Sequence, residues 1–261
     1  MAPLQIPYFR NANELPAPLP TTEEILASKE ILKGADAWAF KKVLKDNLLL
    51  LENNGIRGCV PRIYAMWKGD NGQLFLVMER LRGEALESIW PALGPSEKTV
   101  ILSKLKDILS RTRKIPHRNI FGSVDGGPVP HHLFYSSVND AQVSGPFKTE
   151  RAFVRGLIAR SRWEAEKNQK HSYLADFFEE QLLGVLTVMN RKPVFTHSDI
   201  QRKNILVERL TGNTCGEEFG VSVVDWESAG WYPVWWEHVA AFFAFYWSDD
   251  WCSRVVEAVD D

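Results

Sequence analysis

The order of apolar and polar positions along the chain predicts mainly helices. In five stretches apolar residues recur every three or four positions, which is the spacing of one face of a helix. These stretches lie at 21–34, 36–53, 96–115, 173–189 and 235–246. Thr21 and Ser96 are predicted as N-caps, and Gly34 and Asn53-Asn54-Gly55 as helix stops. The first twenty residues are rich in proline and predict an extended arm.

Short strands are predicted between the helices. Residues 62–67 and 74–79 flank an Asn71-Gly72 turn, and this arrangement is typical of a β-hairpin. Short apolar pieces at 193–196 and 205–207 enclose a polar loop, and 221–224 is a buried type of strand. Residues 117–146 are rich in glycine and proline and predict a loop. The sequence therefore predicts an α+β fold with more helix than strand.

Composition narrows the class of protein. The chain has 261 residues with 45% hydrophobic and 25% charged residues, which is ordinary for a globular protein. A net charge of -2 gives no basic excess, so we expect neither a nucleic-acid nor a membrane partner. The longest uncharged apolar run, 239–247, is too short to cross a bilayer. Without a signal-peptide pattern, and with three scattered cysteines, the expected location is the cytoplasm.

Tryptophan is concentrated near the C-terminus. The chain has ten tryptophans, and five lie between Asp225 and Trp247: Trp226, Trp231, Trp235, Trp236 and Trp247. Such rings either line an apolar pocket or fill the core beneath a site.

The candidate chemistry lies in two segments. The first has the form His197-x-Asp199-x4-Asn204 followed by an apolar piece, and the second is an apolar strand that ends in Asp225. This order and spacing are typical of phosphoryl transfer in kinase-like folds. Asp199 is the predicted base for an attacking hydroxyl. Asn204 and Asp225 supply the oxygen ligands that Mg²⁺ prefers, and His197 is grouped with Asp199 as a residue that braces the loop.

Segments 196–199 and 225–233 resemble the aminoglycoside phosphotransferase/choline kinase family, in its fungal-type subgroup. The resemblance implies a protein-kinase-like fold with a reduced N-terminal lobe at 1–82 and a mainly helical C-terminal lobe at 83–261. It implies ATP and magnesium as cofactors and a small molecule as substrate, while the oligomeric state stays open. The implied hinge residues that contact adenine are Met78, Glu79 and Leu81. Glu227 and Trp231 are the implied substrate contacts.

The N-terminal lobe departs from the family pattern. Three strands and a helix need roughly 40 residues, but only 27 lie between Leu32 and Val60, and they have a helical pattern. No phosphate-binding glycine pattern occurs there, and Lys33 is the nearest candidate for the strand lysine. Either a segment is lost from the sequence, or the protein has dropped ATP.

Three functions therefore stay open. The first is a Mg²⁺/ATP-dependent phosphotransferase that acts on a small-molecule hydroxyl, in secondary metabolism for example. The second is an enzyme of the same fold that performs a cyclisation, dehydration or isomerisation by acid–base chemistry. The third is a non-catalytic pseudokinase that keeps the acids as a relic.

Two local alternatives also stay open. Glu227 either faces the metal and substrate or forms a salt bridge with Arg202. The pair His131-His132 is interpreted as solvated, because no carboxylate or cysteine is spaced to complete a metal site with it.

Overall fold

The computed structural model describes residues 6–29, 41–135, 140–186, 191–210, 218–243 and 248–259. Within these ranges the strands are β1 Tyr8–Phe9, β2 Ile63–Lys68, β3 Leu74–Met78, β4 Glu84–Ala85, β5 Val194–Thr196, β6 Ile205–Leu210, β7 Glu218–Val223 and β8 Gly230–Tyr232. The helices are α1 Thr22–Ala27, α2 Lys41–Asn53, α3 Leu86–Ile89, α4 Pro95–Arg113, α5 Ala141–Ser144, α6 Glu150–Lys167, α7 Tyr173–Phe177, α8 Leu183–Leu186, α9 Trp236–Phe243 and α10 Trp251–Val259. This mixture confirms the predicted α+β class.

The predicted hairpin is confirmed and gains a third strand. β2 and β3 pair antiparallel around the turn, where Gly72 adopts φ 77°, a left-handed conformation that favours glycine. The N-terminal arm is not merely extended, because β1 pairs with β2 and places Tyr8 opposite Met66. The sheet therefore has the order β1-β2-β3.

Helix ends differ in detail from their predictions. Thr21 caps α1 through a capping box with Glu24, as the hydroxyl predicts, but α1 ends at Ala27 instead of Gly34. α4 begins one residue before Ser96, and Gly94 is its N-cap, with its backbone N–H donated to the Glu97 carboxylate at 2.7 Å. The predicted start of the second helix, at 36, lies outside the described residues.

The sequence pattern missed α6. Its 18 residues include four arginines spread around the helix, and these blur the apolar face formed by Phe153, Val154 and Ile158. The helix predicted at 173–189 is broken into α7, a π-helical segment at Phe178–Leu182, and α8. Its last three residues lie outside the described part of the chain.

The frame of the candidate site is a small antiparallel sheet of order β4-β6-β7. β6 and β7 form a hairpin in which Ile205 lies opposite Val223. Asn204 therefore directly precedes one strand, and Asp225 follows the other by two residues. β5 pairs with β8 and brings Thr196, just before His197, opposite Gly230.

Two apolar clusters support this frame. The main core joins α2, α4 and α10 to β6 and β7, so it crosses the predicted lobe boundary at residue 82. A second, aromatic cluster packs α6 against the segment around Phe121, Phe134 and Phe147. In the ranges that the structure describes, no helix combines the length and apolarity needed to cross a membrane.

Candidate active site

Asp199 and Asn204 are brought into direct contact. The Asn204 side-chain amide donates to the Asp199 carboxylate at 2.9 Å and to its backbone carbonyl at 3.0 Å. The Gln201 amide donates to the other carboxylate oxygen. The 3-10 turn Arg202–Asn204 creates this contact by folding the chain back after Asp199. The carboxylate of the predicted base is thus held in one orientation by two amides.

Val224, the residue before Asp225, is hydrogen-bonded to the loop that carries Asp199 and Asn204. The Val224 backbone N–H donates to the Asn204 carbonyl at 2.9 Å, and the Val224 carbonyl accepts from the His197 ring at 2.9 Å. Asp225 itself adopts left-handed φ and ψ of 64° and 52°. This conformation is uncommon for a residue with a Cβ, although aspartate tolerates it better than most. The sharp turn holds Asp225 at the end of the sheet beside Asn204.

His197 is a structural brace. It is fully buried, its Nε2–H donates to Val224, and its Nδ1 accepts from the Asp199 backbone N–H at 3.2 Å. Both ring nitrogens are therefore engaged, which fixes the tautomer and joins the loop to the turn before Asp225. This geometry fits the bracing role more than a reacting one.

Glu237, at the start of α9, is a site residue that sequence analysis missed. Its two carboxylate oxygens accept the backbone N–H groups of His197 and Ser198 at 2.8 and 3.0 Å, and the residue is only 2% exposed. Burial raises the pKa of Glu237, while the neighbouring His197 lowers it in part. Ser198 is held with φ 71°, and its hydroxyl accepts from Trp236 Nε1 at 2.7 Å. The available signal was a single carboxylate in a mainly apolar helix.

Asn47 is a second missed residue. It is fully buried on α2, and its amide donates to the carbonyls of Trp226 and Ala229 at 2.7 and 2.9 Å. The Val223 backbone N–H also donates to the Cys59 carbonyl at 2.8 Å. The N-terminal part of the chain is therefore fixed directly onto the turn that carries Asp225.

The predicted hinge residues lie on the route into the same sheet. Met78, 44% exposed, ends β3, and the Glu79 carboxylate accepts the Arg62 backbone N–H at 3.1 Å. The chain then passes half-buried Leu81 and reaches Gly83, where an added Cβ would lie 2.6 Å from the Val207 carbonyl. This close approach brings the hinge segment against β6. Lys33 lies outside the described residues.

The aromatic residues after Asp225 mostly fill the core. Trp231 is 2% exposed and packs edge-on against Phe195 at 5.4 Å, so its predicted contact with a substrate is not supported. Trp226 and Trp236 are also buried, Trp235 is half-buried, and Trp247 is outside the described residues. The pocket alternative for this cluster is therefore disfavoured.

The charged residues around the site have partners that the sequence did not indicate. Arg202 forms an ion pair with Asp249 at 2.6 Å, and Glu227 lies half-buried in the turn Trp226–Ser228. The interpretation of His131-His132 as a solvated pair is wrong for His131. Burial lowers the pKa of His131 to about 3, and its ring packs edge-on against Trp236 at 5.2 Å. His131 is thus a neutral core residue, whereas His132 is exposed.

The residue types fit a magnesium ion. Because the Asn204 amide nitrogen is bonded to Asp199, the side-chain carbonyl oxygen is the atom left to act as a ligand. Asp225 adds a carboxylate, and its neighbour Val224 is hydrogen-bonded to Asn204. No cluster of three or more histidine, cysteine or acidic residues suited to a metal occurs in the described ranges. Mg²⁺ in phosphoryl-transfer sites needs no such cluster, since one or two protein oxygens are completed by phosphate and water.

Comparison with known proteins decides the family. The model of the family described as "Phosphotransferase enzyme family" matches residues 44–261, which is most of the chain. The chain belongs to this phosphotransferase family. The matched range contains Asn47, Asp199, Asn204, Asp225 and Glu237. Among curated proteins, none matches the chain.

Two solved structures are similar to this phosphotransferase. One is a mutant of aminoglycoside 2′-phosphotransferase-IIIa in complex with GDP, with 13% identity, a TM-score of 0.50, and coverage of 85% of this chain and 67% of that chain. The other is spectinomycin phosphotransferase APH(9)-Ia with ADP and spectinomycin, with 11% identity, a TM-score of 0.40, and coverage of 86% and 65%. The first likeness, together with the family match, shows a protein-kinase-like fold.

Proposed function

We propose that this protein transfers a phosphoryl group from Mg²⁺-bound ATP to a hydroxyl group of a small molecule. The observation that carries the proposal is the joined geometry of Asp199, Asn204 and Asp225. The Asp199 carboxylate is oriented by two amides, and the backbone carbonyl of Asn204 accepts the N–H of Val224, the residue directly before Asp225. In the phosphotransferase family, this residue set suits phosphoryl transfer better than any other chemistry.

Asp199 acts on the substrate hydroxyl. Its carboxylate accepts the hydroxyl proton as the substrate oxygen bonds to the γ-phosphorus and the bond from that phosphorus to the bridging oxygen breaks. Asn204 keeps the carboxylate oriented through the 2.9 Å hydrogen bond, so little reorganisation is needed during the reaction. His197 and Glu237 hold the backbone of this loop in place.

Asn204 and Asp225 would hold the magnesium ion. When bound there, the ion supplies positive charge that neutralises the phosphate oxygens. On the nucleotide side, the segment of Met78, Glu79 and Leu81 borders the adenine. This placement is supported by the close approach of Gly83 to β6, which directly follows Asn204.

The test is nucleotide binding measured by calorimetry, with and without Mg²⁺. Asp225→Asn is the variant of choice, because asparagine tolerates the left-handed backbone that residue 225 requires. We expect Mg²⁺-dependent ATP binding in the wild type, and a loss of at least roughly tenfold, ~1.4 kcal/mol, in the variant. Asp107→Ala is the matched control, since this carboxylate on α4 is 69% exposed. GTP is measured in parallel, because one structural relative is a GDP complex.

Asp199→Asn separates chemistry from binding. This variant should bind ATP normally while ADP formation with a hydroxyl substrate falls by about 10²–10⁴-fold, the usual contribution of a general base. Absence of binding at millimolar ATP and GTP would refute the phosphotransferase proposal. The double substitution of Asp199 and Asp225 would then separate the two remaining alternatives. An acid–base enzyme would lose substrate turnover in the double variant, whereas a pseudokinase would have no turnover even as the wild type.

A further inference from the structure

A second group of polar side chains lies near the loop that carries Asp199. His132 belongs to the short turn His132–Phe134, and its ring lies 4.2 Å from the ring of His131. His131 packs against Trp236, and the Trp236 indole holds the Ser198 hydroxyl. Two ring contacts, from His132 to His131 and from His131 to Trp236, and one hydrogen bond therefore connect exposed His132 to Ser198. Ser198 directly precedes Asp199, the predicted base.

Helix α6 brings an arginine to the same place. The ring of Phe153 lies 4.5 Å from that of Phe134, so this face of α6 packs on the turn that carries His132. Arg160 lies seven residues after Phe153 and therefore projects from the same face, two turns further on. The electrostatics agree with this placement. Burial lowers the pKa of His132, the negative charge of Asp199 raises it, and the positive charge of Arg160 lowers it.

Arg160 has hydrogen-bonding capacity to spare. One terminal nitrogen pairs with Glu164, and the guanidinium lies 4.8 Å from the ring of Trp163. Its buried Nε has no acceptor in the described part of the chain. A buried donor without an acceptor costs about 1–3 kcal/mol. The side chain as a whole is 21% exposed, so part of the arginine is open to solvent.

We propose that Arg160 and His132 bind a carboxylate on the substrate, so that the preferred substrates are hydroxy acids. This inference rests on the proposed function, in which Asp199 takes the proton of the hydroxyl. The guanidinium keeps donor groups beyond its ion pair with Glu164, and a carboxylate is the acceptor that suits such donors best. An ammonium group offers these donors no acceptor.

The experiment follows the imidazole of His132 by NMR in the nucleotide-free protein. Three probes share one hydroxyaryl frame and differ in charge: 3-hydroxybenzoate, 3-hydroxybenzyl alcohol and 3-hydroxybenzylamine. Each is titrated to ~20 mM, which detects dissociation constants near 1 mM. His132→Gln assigns the signal among the six histidines of the chain. We expect the benzoate to shift the His132 signal and raise its pKa, and the other two probes to leave both unchanged.

Arginine variants test the carboxylate contact. Arg160→Gln should weaken benzoate binding roughly tenfold or more, the value of a lost charged hydrogen bond, and Arg160→Lys should weaken it less. Arg162→Gln is the control, because Arg162 lies on the same helix but pairs with Asp176 and Glu179. Equal thermal midpoints of these variants exclude unfolding as the cause.

Three results would overturn the inference: an equal response to the amine, benzoate binding that survives in Arg160→Gln, or no response of His132 to any probe. Because no nucleotide is present, such a failure leaves the phosphotransferase proposal intact. Conversely, loss of Mg²⁺-dependent nucleotide binding would refute that proposal without changing the benzoate result.

Discussion

Single buried side chains set the backbone of the candidate site. Glu237 accepts two backbone N–H groups, and Asn47 donates to two backbone carbonyls. The groups they bond lie beside Asp199 or just after Asp225, where the chain leaves regular secondary structure and no strand can pair it. Buried backbone groups are costly when unpaired, so these two residues stabilise the unusual backbone that positions the acids.

Glu237→Gln tests this role at the residue scale. Glutamine keeps one oxygen, but its NH₂ group would face a backbone N–H, so one donor loses its acceptor in a fully buried place. We expect the free energy of unfolding to fall by about 1–3 kcal/mol in urea titrations, with weaker orientation of Asp199 and slower turnover. The matched control is Glu166→Gln on the exposed side of α6, with a change within about 0.5 kcal/mol. Equal stability of the two variants would contradict the assigned role of Glu237.

At the scale of elements, close packing of α6 shapes the substrate side. Gly156 lies in the middle of α6, where a Cβ would collide with the Phe147 ring and lie 3.1 Å from the Val143 carbonyl. Glycine there lets α6 approach α5 and the Phe147 segment. Arg160 lies four residues, about one turn, further along the same helix.

Gly156→Ala should therefore destabilise the protein, although alanine favours helix by about 1 kcal/mol relative to glycine. Overpacking costs about 1–3 kcal/mol, so the net loss is small to moderate and the melting temperature falls. Gly184→Ala in α8 is the matched control, since nothing lies within 4 Å of an added Cβ there. Calorimetry should show a lower melting temperature for Gly156→Ala and an unchanged or higher one for Gly184→Ala. A stabilised Gly156→Ala variant would show that α6 is free to move.

At the scale of the molecule, charges connect the N-terminal arm to the rest of the fold. Arg10 donates to the carboxylate of Glu52 on α2, at 3.0 Å for one oxygen, and to the Ile63 carbonyl on β2 at 2.8 Å. Arg62 donates to Glu52 at 3.2 Å. Since α2 is also bonded to the turn after Asp225 through Asn47, the arm, helix and hairpin form one connected support for the site.

Glu52 should make stability depend on pH. Burial raises its pKa, but the hydrogen bonds and charges of Arg10 and Arg62 outweigh burial, so the pKa lies below its ordinary value of 4.5. A lowered folded-state pKa stabilises the native state above 4.5, and this contribution is lost as the pH falls through the folded value. Urea midpoints below pH 4.5 should therefore fall more steeply in the wild type than in Glu52→Gln. Exposed Glu87→Gln is the control and should follow the pH dependence of the wild type. Equal pH dependence of the urea midpoints in the wild type and Glu52→Gln would contradict this prediction.

The sequence by itself determined the local chemistry. The spacing of Asp199 and Asn204, and of Asp225 after a strand, follows from short-range order, because residues within a turn or at a strand end are fixed by their neighbours. The β2–β3 hairpin and the cap of α1 were predictable for the same reason. The family match agrees with what these segments indicated.

Only the tertiary structure decided which distant side chains complete the site. Asn47 bonds to carbonyls 179 and 182 residues away, and Glu237 bonds to N–H groups 40 and 39 residues away. The sequence alone shows only an asparagine and a glutamate on two predicted helices, with no pattern that indicates their hydrogen-bond partners. The core position of Trp231 and the burial of His131 likewise depend on how distant elements pack. Such contacts join segments far apart in the chain, so no local pattern encodes them.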